Sequence, residues 1–285
     1  MANINPSNLA SGFLQSLWEN AVQGYAEQRF RLRNMVMDYS SLASNGAEVV
    51  KVPLLVEKSS ASAPTDSSAL TFDSSGDTVG TITIDNHPYE AVRIEDIAQA
   101  QASSDLFDAY AKQLGYSVAK GIEGYIEDTI VASTTNTVIT VSTSAGNLTA
   151  SNVRAGMEVL WAENIDNTDG QTYLMCSPKA YSTLMDDADF AHALSRTDGQ
   201  APLLTGQVGV LYGCPTFVSS LWSDGATGTV CASLFHKSAI GFACSIEPRV
   251  QAQYNLEYIA TDVVCDAVCG CDALIGGHIQ NFDNP

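Results

Sequence analysis

Basic charge is scarce in this chain of 285 residues: 13 Lys and Arg stand against 32 Asp and Glu, a formal net charge of −19. A protein whose main task is to grip DNA or an anionic membrane needs a net basic surface, so the charge argues against that class. Long apolar runs are also missing. Hydrophobic residues make up 45% of the chain, yet they never gather into the run of about eighteen that a membrane span requires. The opening residues Met1-Ala2-Asn3-Ile4-Asn5-Pro6 lack a basic segment followed by an apolar one, which argues against a secretion signal. The seven cysteines, an odd number spread through apolar segments, do not make an extracellular disulfide framework. The expectation is a soluble protein made in a reducing cytoplasm. No Gly-rich phosphate loop or dinucleotide fingerprint is present.

What is present is a long hairpin running into a long helix. Residues 49–56 are rich in β-branched side chains and read as a strand; residues 81–85 alternate polar and apolar and read as its return. About two dozen residues between them are mostly Ser, Ala, Thr, Asp and Gly, too small and polar to build a core. Such an arm points to contact between copies of the chain. Residues 87–94 are extended, with Pro88 at an edge or bend. Ser104 and Asp105 make a helix start. Phe107, Tyr110, Leu114, Val118, Ile122, Tyr125 and Ile126 then form one stripe to about Val131. Gly115, Gly121 and Gly124 lie within it, each costing about 1 kcal/mol relative to Ala.

Before the hairpin, Leu9, Phe13, Leu17, Val22 and Tyr25, with Trp18 beside them, predict an amphipathic helix within residues 8–37. Arg29, Arg31 and Arg33 follow and fit either a docking patch for a neighbour or a solvated helix face. After the long helix the pattern predicts strands at 137–141, 172–176, 208–220 (pinched at Gly213-Cys214-Pro215), 228–235, 239–243 and 249–260, and a Cys- and Gly-rich strand over 263–282. Helices are predicted at 151–164, with Val153, Met157, Leu160 and Trp161 buried, and from the Ser177-Pro178 cap to about Met185. Helix and strand mix without regular βαβ order, so the class is α+β.

Three groups invite a chemical reading. Cys265, Cys269 and Cys271, with His278 beyond, could be zinc ligands. Their C-x3-C-x-C spacing lacks paired C-x2-C units and puts all three on one face of a strand, which favours core packing. Cys214 and His236 could be a nucleophile and base, but no recognisable elbow frames them. Asp186, Asp187 and Asp189 could bind a cation, or form a solvated loop after a helix.

The order of elements resembles the major capsid proteins of tailed bacteriophages, the Hong Kong 97-type fold. The phrases that carry the resemblance are Gly46-Ala47-Glu48-Val49-Val50-Lys51-Val52-Pro53, residues 173–184, residues 209–220, and Ala232-Ser233-Leu234-Phe235-His236-Lys237-Ser238-Ala239-Ile240-Gly241-Phe242-Ala243. It implies an N-terminal arm (1–46), an extended loop (47–93), a peripheral domain (94–145 and 243–261) with a spine helix at 104–131, and an axial domain (146–242 and 262–285). It implies no enzyme and no cofactor. The chain would be a shell subunit, assembled in the host bacterial cytoplasm into hexamers and pentamers of an icosahedral virion shell. Its acidic surface is mostly a solubility device and also suits a wall enclosing DNA without sequence-specific contact. The implied partners are other copies, a separate scaffolding protein, a portal and a decoration or cement protein, with no membrane. Expected inter-subunit contacts are Arg29, Arg31, Arg33, Lys58, Asp66 and Phe72, and Gly121 and Gly124 are the expected bend of the spine helix. The type phage's lysine-to-asparagine cross-link is not expected, since Lys51 and Lys58 lie near the loop's base and its tip has no lysine. An encapsulin-like compartment and a cysteine-dependent hydrolase are the alternatives.

Overall fold

The structure, a computed structural model, describes residues 3–4, 31–43, 47–54, 76–101, 106–141, 147–165, 167–186, 209–222 and 228–284. The expected contact residues Arg29, Lys58, Asp66 and Phe72, the helix stripe from Leu9 to Tyr25, the Ser104-Asp105 cap, the side chain of Phe107, and Asp187 and Asp189 lie outside them.

The expected hairpin forms as β3 (Val49–Leu54) and β4 (Thr78–Thr83), paired from Val49 opposite Thr83 to Leu54 opposite Thr78. Its alternation makes a half-buried ribbon. Val50, Val52 and Ile82 bury against Ala243 and against Ala43, which ends the short helix α2 (Ser40–Ala43); Lys51, Pro53 and Thr81 face outward.

The chain continues as β5 (Tyr89–Glu95), runs without a break into α3 (Asp96–Gln101), and enters the long helix α4 (Leu106–Ala132, 27 residues). At 1.5 Å per residue α4 is about 40 Å long. Leu114, Val118, Ile122, Ile126 and Ile130 recur every fourth residue and are all buried, a stripe that presses the helix onto a five-stranded sheet. That sheet has the order β1-β5-β12-β11-β2, with β1 at Asn3–Ile4, β2 at Met37–Asp38, β11 at Ile240–Asn255 and β12 at Ala260–Ala273. The short helix α1 (Leu32–Met35) precedes β2 and α2.

Two expectations change here. Instead of separate strands at 239–243 and 249–260, β11 is one strand of 16 residues. Register shifts between Cys244 and Ile246 and between Ile246 and Arg249 absorb the irregularity, and Pro248, which has no N–H for the ladder, falls within the second. The expected strand over 263–282 is in fact two. β12 ends at Ala273, and after a 3-10 turn at Gly276–His278 the chain resumes as β13 (Ile279–Asp283) in a different sheet.

This second sheet has six strands in the order β6-β13-β10-β7-β9-β8. They are β6 (Ile139–Thr140), β7 (Thr172–Cys176), β8 (Val210–Leu211), β9 (Cys214–Val218), β10 (Val230–His236) and β13. One face is covered by α5 (Ala150–Ala162) and α6 (Pro178–Asp186), with Val153, Met157, Leu160 and Leu184 packed on Leu174, Leu234 and Phe282. From the other face Met175, Phe235 and Ile279 join the core beneath α4. The predicted pinch at Gly213 is a two-residue hairpin turn with both central residues at positive φ, Tyr212 at 51° and Gly213 at 85°. Thr149 caps α5 in a capping box with Asn152. Trp161 is a correction: it is 48% exposed. The buried positions 153, 157 and 160 define α5's inner face, and Trp161 lies one step round, where its Nε1–H donates to Asn167 Oδ1 at 3.3 Å.

Candidate assembly surfaces

The root of the β3–β4 hairpin rests on bare backbone. A Cβ on Gly270 of β12 would overlap the Thr83 carbonyl and come within 2.9 Å of Ile84 Cα; one on Gly241 of β11 would meet Ile82 Cδ1 at 2.5 Å. The approach of backbone requires glycine at 270, whereas at 241 the neighbours are the ends of the Ile82 and Leu274 side chains. Beyond the root, Asn86 N–H donates to Cys269 O at 3.1 Å and Cys269 N–H returns the bond to Asn86 O at 2.9 Å. Tyr125 of α4 reaches the same region, its hydroxyl 3.2 Å from Asp85, and burial followed by that carboxylate pushes its phenol up to about 12.

The arm is held by a buried carboxylate. Glu123 of α4 is 3% exposed, and its Oε1 accepts the backbone N–H of Arg31 and, at 3.1 Å, that of Leu32. It thereby satisfies the start of α1, whose Leu32 and Met35 are buried against the core. Burial raises the Glu123 carboxyl above its ordinary value, and the two N–H bonds work in the opposite direction. Nothing in the sequence separates Glu123 from the other acids of α4. Of the three arginines, Arg31 is exposed and donates to Val218 O at 3.3 Å. Arg33 forms a forked pair with Glu247, one bond at 2.7 Å, and lies over the Phe242 ring at 5.2 Å.

The far end of the β11–β12 hairpin is a surface that the sequence reading missed. Residues 256–259 form its turn, with Leu256 83% and Ile259 64% exposed, and Ile97 of α3 beside them 61% exposed. Asp96 N–H donates to Ile259 O at 3.2 Å, and Tyr254 hydroxyl to Asp96 Oδ2 at 2.8 Å, so α3 and the turn form one surface. Ile259 holds φ 46°, a left-handed conformation that a β-branched residue rarely adopts. Asn255 Oδ1 accepts Glu257 N–H at 3.1 Å to make the turn. No glycine or proline stands between Tyr254 and Ile259, so the alternation of Tyr254, Leu256 and Tyr258 reads as more strand.

This outer ribbon is tied by charge. Arg93 and Asp262 face each other across β5 and β12 and bond through Nε–Oδ1 at 2.5 Å and Nη2–Oδ2 at 3.0 Å, with the guanidinium 4.1 Å over Tyr258. Arg249 forks onto Asp266 with two bonds of 3.0 Å. Bonding to Arg93 holds the Asp262 carboxyl below the usual carboxylate range, and Arg249 does the same for Asp266.

The chemical candidates resolve into structure. Cys265, Cys269 and Cys271 are buried in the core beneath α4, whereas His278 lies in the turn before β13 with its ring 6.1 Å from that of His236. Cys214 is buried with its thiol 3.5 Å from Met157 Sδ, and burial pushes it up to about 11, far from a reactive thiolate. His236 pairs with Asp169 and Ser238. Asp186 is exposed at the end of α6. On α4, a Cβ on Gly124 would meet nothing within 4 Å and one on Gly121 only Pro88 Cβ at 3.6 Å, so neither glycine is needed for close packing.

A chain of mixed helices and sheets with a bare-backbone hairpin root, a tied-down arm and an apolar outer turn has the parts of an assembling shell subunit. The phage capsid protein family model matches residues 89–265, and the chain belongs to that family. Solved structures agree on the fold. A chain from Mycobacterium phage Che8 superposes with a TM-score of 0.71 at 20% identity, covering 88% of this chain and 90% of that one. The capsid structure of Cyanophage P-SCSP1u gives 0.69 at 16% identity, covering 100% and 99%. The capsid of a native GTA particle gives 0.68 at 14% identity, covering 90% of each. No curated protein sequence matches the chain. The α+β fold expected from the sequence is the fold of these capsid subunits, and this is a structural capsid protein rather than an enzyme. Among the described residues no helix is long and apolar enough to cross a membrane.

Proposed function

We propose that this capsid protein forms the hexamers and pentamers of an icosahedral Hong Kong 97-type shell around the double-stranded DNA of a tailed phage, on a separate scaffolding protein, with a portal and a decoration or cement protein as further partners. The arm and the extended loop reach neighbouring copies, Arg29, Arg31, Lys58, Asp66 and Phe72 contribute contacts, and Arg33 joins them through its pair with Glu247. The peripheral part is 94–145 and 243–261, with α4 as its spine, and the axial part is 146–242 and 262–285. Assembly takes place in the host cytoplasm, and the acidic surface leaves the DNA without sequence-specific contact. Gly121 and Gly124 absorb a bend of α4 in the precursor shell. The family match does not favour the compartment or hydrolase alternatives.

The observation that carries this reading is the outer turn, where Leu256, Ile259 and Ile97 are 83%, 64% and 61% exposed in the single subunit. Contiguous apolar side chains left in water mark an interaction surface, and in a chain that builds shells the matching partner is another copy. The test is the pair Leu256→Asp and Ile259→Asp, expressed with the scaffold. The expected subunit is soluble and folded by circular dichroism but yields no closed shells by light scattering and negative-stain microscopy. Shells of wild-type size and yield would overturn the assignment.

A further inference from the structure

The chain crosses between the two large sheets twice at one place. β10 of the six-stranded sheet ends at His236, a 3-10 turn covers Lys237–Ala239, and β11 of the five-stranded sheet begins at Ile240. On the way back, β12 ends at Ala273, a turn covers Gly276–His278, and β13 begins at Ile279. The crossings lie against each other, since Leu274 and Ile275 both donate their N–H to Ala239 O, at 2.8 and 3.1 Å.

Side chains complete the tie. Ser238 Oγ is 2.7 Å from His236 Nδ1 and 2.9 Å from His278 Nδ1, and His236 Nε2 is 3.1 Å from Asp169 Oδ2. Ser238 backbone N–H also points at His236 Nδ1, at 3.3 Å. One hydrogen arrangement satisfies every contact. His278 Nδ1–H donates to Ser238 Oγ, the Ser238 hydroxyl donates to His236 Nδ1, and His236 Nε2–H donates to Asp169. Among the described residues, the charged groups around the chain are Asp169, from the turn Asn167–Asp169, Glu163, just past the end of α5, and Lys237 in the first crossing itself.

We propose that the His278–Ser238–His236–Asp169 chain is an acid-sensitive clasp on the paired crossings, fixing the two sheets in one relative setting at neutral pH and releasing it in mild acid. Histidine is the side chain suited to such a change. A proton placed on His236 Nδ1 turns the one acceptor facing two donors into a third donor. A second proton on His278 sets two positive rings 6.1 Å apart. Burial first, and then His236, already hold His278 below its ordinary 6.5, with Glu163 opposing. For a base held low in the folded state, the unfolded chain takes the proton first. The contribution of His278 to stability is therefore intact above pH 6.5 and falls as the pH drops below it.

The test is hydrogen exchange by mass spectrometry on the whole chain at pH 7.5 and pH 5, corrected for intrinsic rates. The wild type should lose about tenfold protection at amides 237–239 and 274–279 in acid, a local opening, while the Leu234 amide in β10 holds. Ser238→Ala should open these amides at both pH values. His236→Asn keeps an oxygen acceptor toward Ser238 without a titrating ring and should stay protected at pH 5. His278→Gln removes the second charge and should reduce the acid effect; it keeps the test open where His236→Asn does not fold. Equal wild-type protection at both pH values, an acid loss shared by Leu234, or an acid loss undiminished in the folded histidine variants would overturn the clasp.

Discussion

The six-stranded sheet and the outer half of the β11–β12 hairpin are built from similar strands and held by different forces. In β10 the residues Cys231 to Phe235 are buried without interruption, because α5 and α6 cover one face and the core beneath α4 covers the other. In β11 the same holds from Ile240 to Cys244, but from Arg249 to Tyr254 every residue is exposed. There β11 hangs on the backbone ladder to β12, whose Val263 and Cys265 stay buried, and on the side-chain pair of Arg249 with Asp266, while Arg93 with Asp262 ties β12 to β5. A strand covered on two faces owes its stability to apolar burial, roughly 25 cal/mol per Å². A strand covered on neither owes little to burial and is free to present its side chains to something else.

The largest effect should come from the join between these regions. Gly270→Ala places a methyl against Thr83 and Ile84 backbone, which cannot rotate away. We expect a loss of about 3 kcal/mol or more by chemical denaturation; a loss under 1 kcal/mol would mean that the hairpin root is free to shift. Next comes the direct contrast. Leu234→Ala, at a fully buried site in β10, should cost about 3 kcal/mol, whereas Leu256→Ala at the exposed turn should stay within about 0.5 kcal/mol. Equal costs would erase the distinction between core sheet and presented ribbon.

A smaller, opposite effect is expected on α4. Replacing Gly121 and Gly124 together by Ala adds no clash and should stabilise the subunit by about 1–2 kcal/mol while lowering the yield of precursor shells. A lower melting temperature would sink the bending role. The smallest effect concerns Glu127, whose carboxyl is raised to about 7, first by burial and then by Asp128. An acid with a raised folded value favours its neutral form, so its penalty is absent below pH 4.5, grows toward pH 7 and is complete above it. Glu127→Gln should therefore be more stable than wild type at pH 8 and indistinguishable at pH 4; a constant difference across that range would count against the shift.

Much of the fold was legible because its patterns are long. The stripe on α4 predicted 104–131, and the helix is Leu106–Ala132; the strand 172–176 was read with its observed ends. What failed was local. α3 follows β5 with no breaker between Glu95 and Asp96. The break read between 243 and 249 is absent, because two register shifts let β11 run through Pro248. The glycines of Gly276–His278 were read as part of the Cys- and Gly-rich strand over 263–282, whereas the turn there carries the chain into a different sheet. Of the assembly surface, the hairpin was visible from its composition. The Leu256–Ile259 turn was not, because its conformation rests on a left-handed isoleucine that no sequence rule assigns to a turn.

The two glycines under the hairpin root have a mechanical meaning. A strand of six residues reaches about 20 Å at 3.3 Å per residue, so β3 and β4 form a lever whose fulcrum is main chain lying on main chain at Gly270, with Gly241 leaving room for the Ile82 side chain beside it. Rotation of a side chain cannot alter the angle at such a fulcrum. A tilt of about 5° there would displace the lever's end by nearly 2 Å, on the order of half a strand spacing. The aim of the projection thus rests on a position that contributes no side chain, Gly270, and a methyl group there would redirect it.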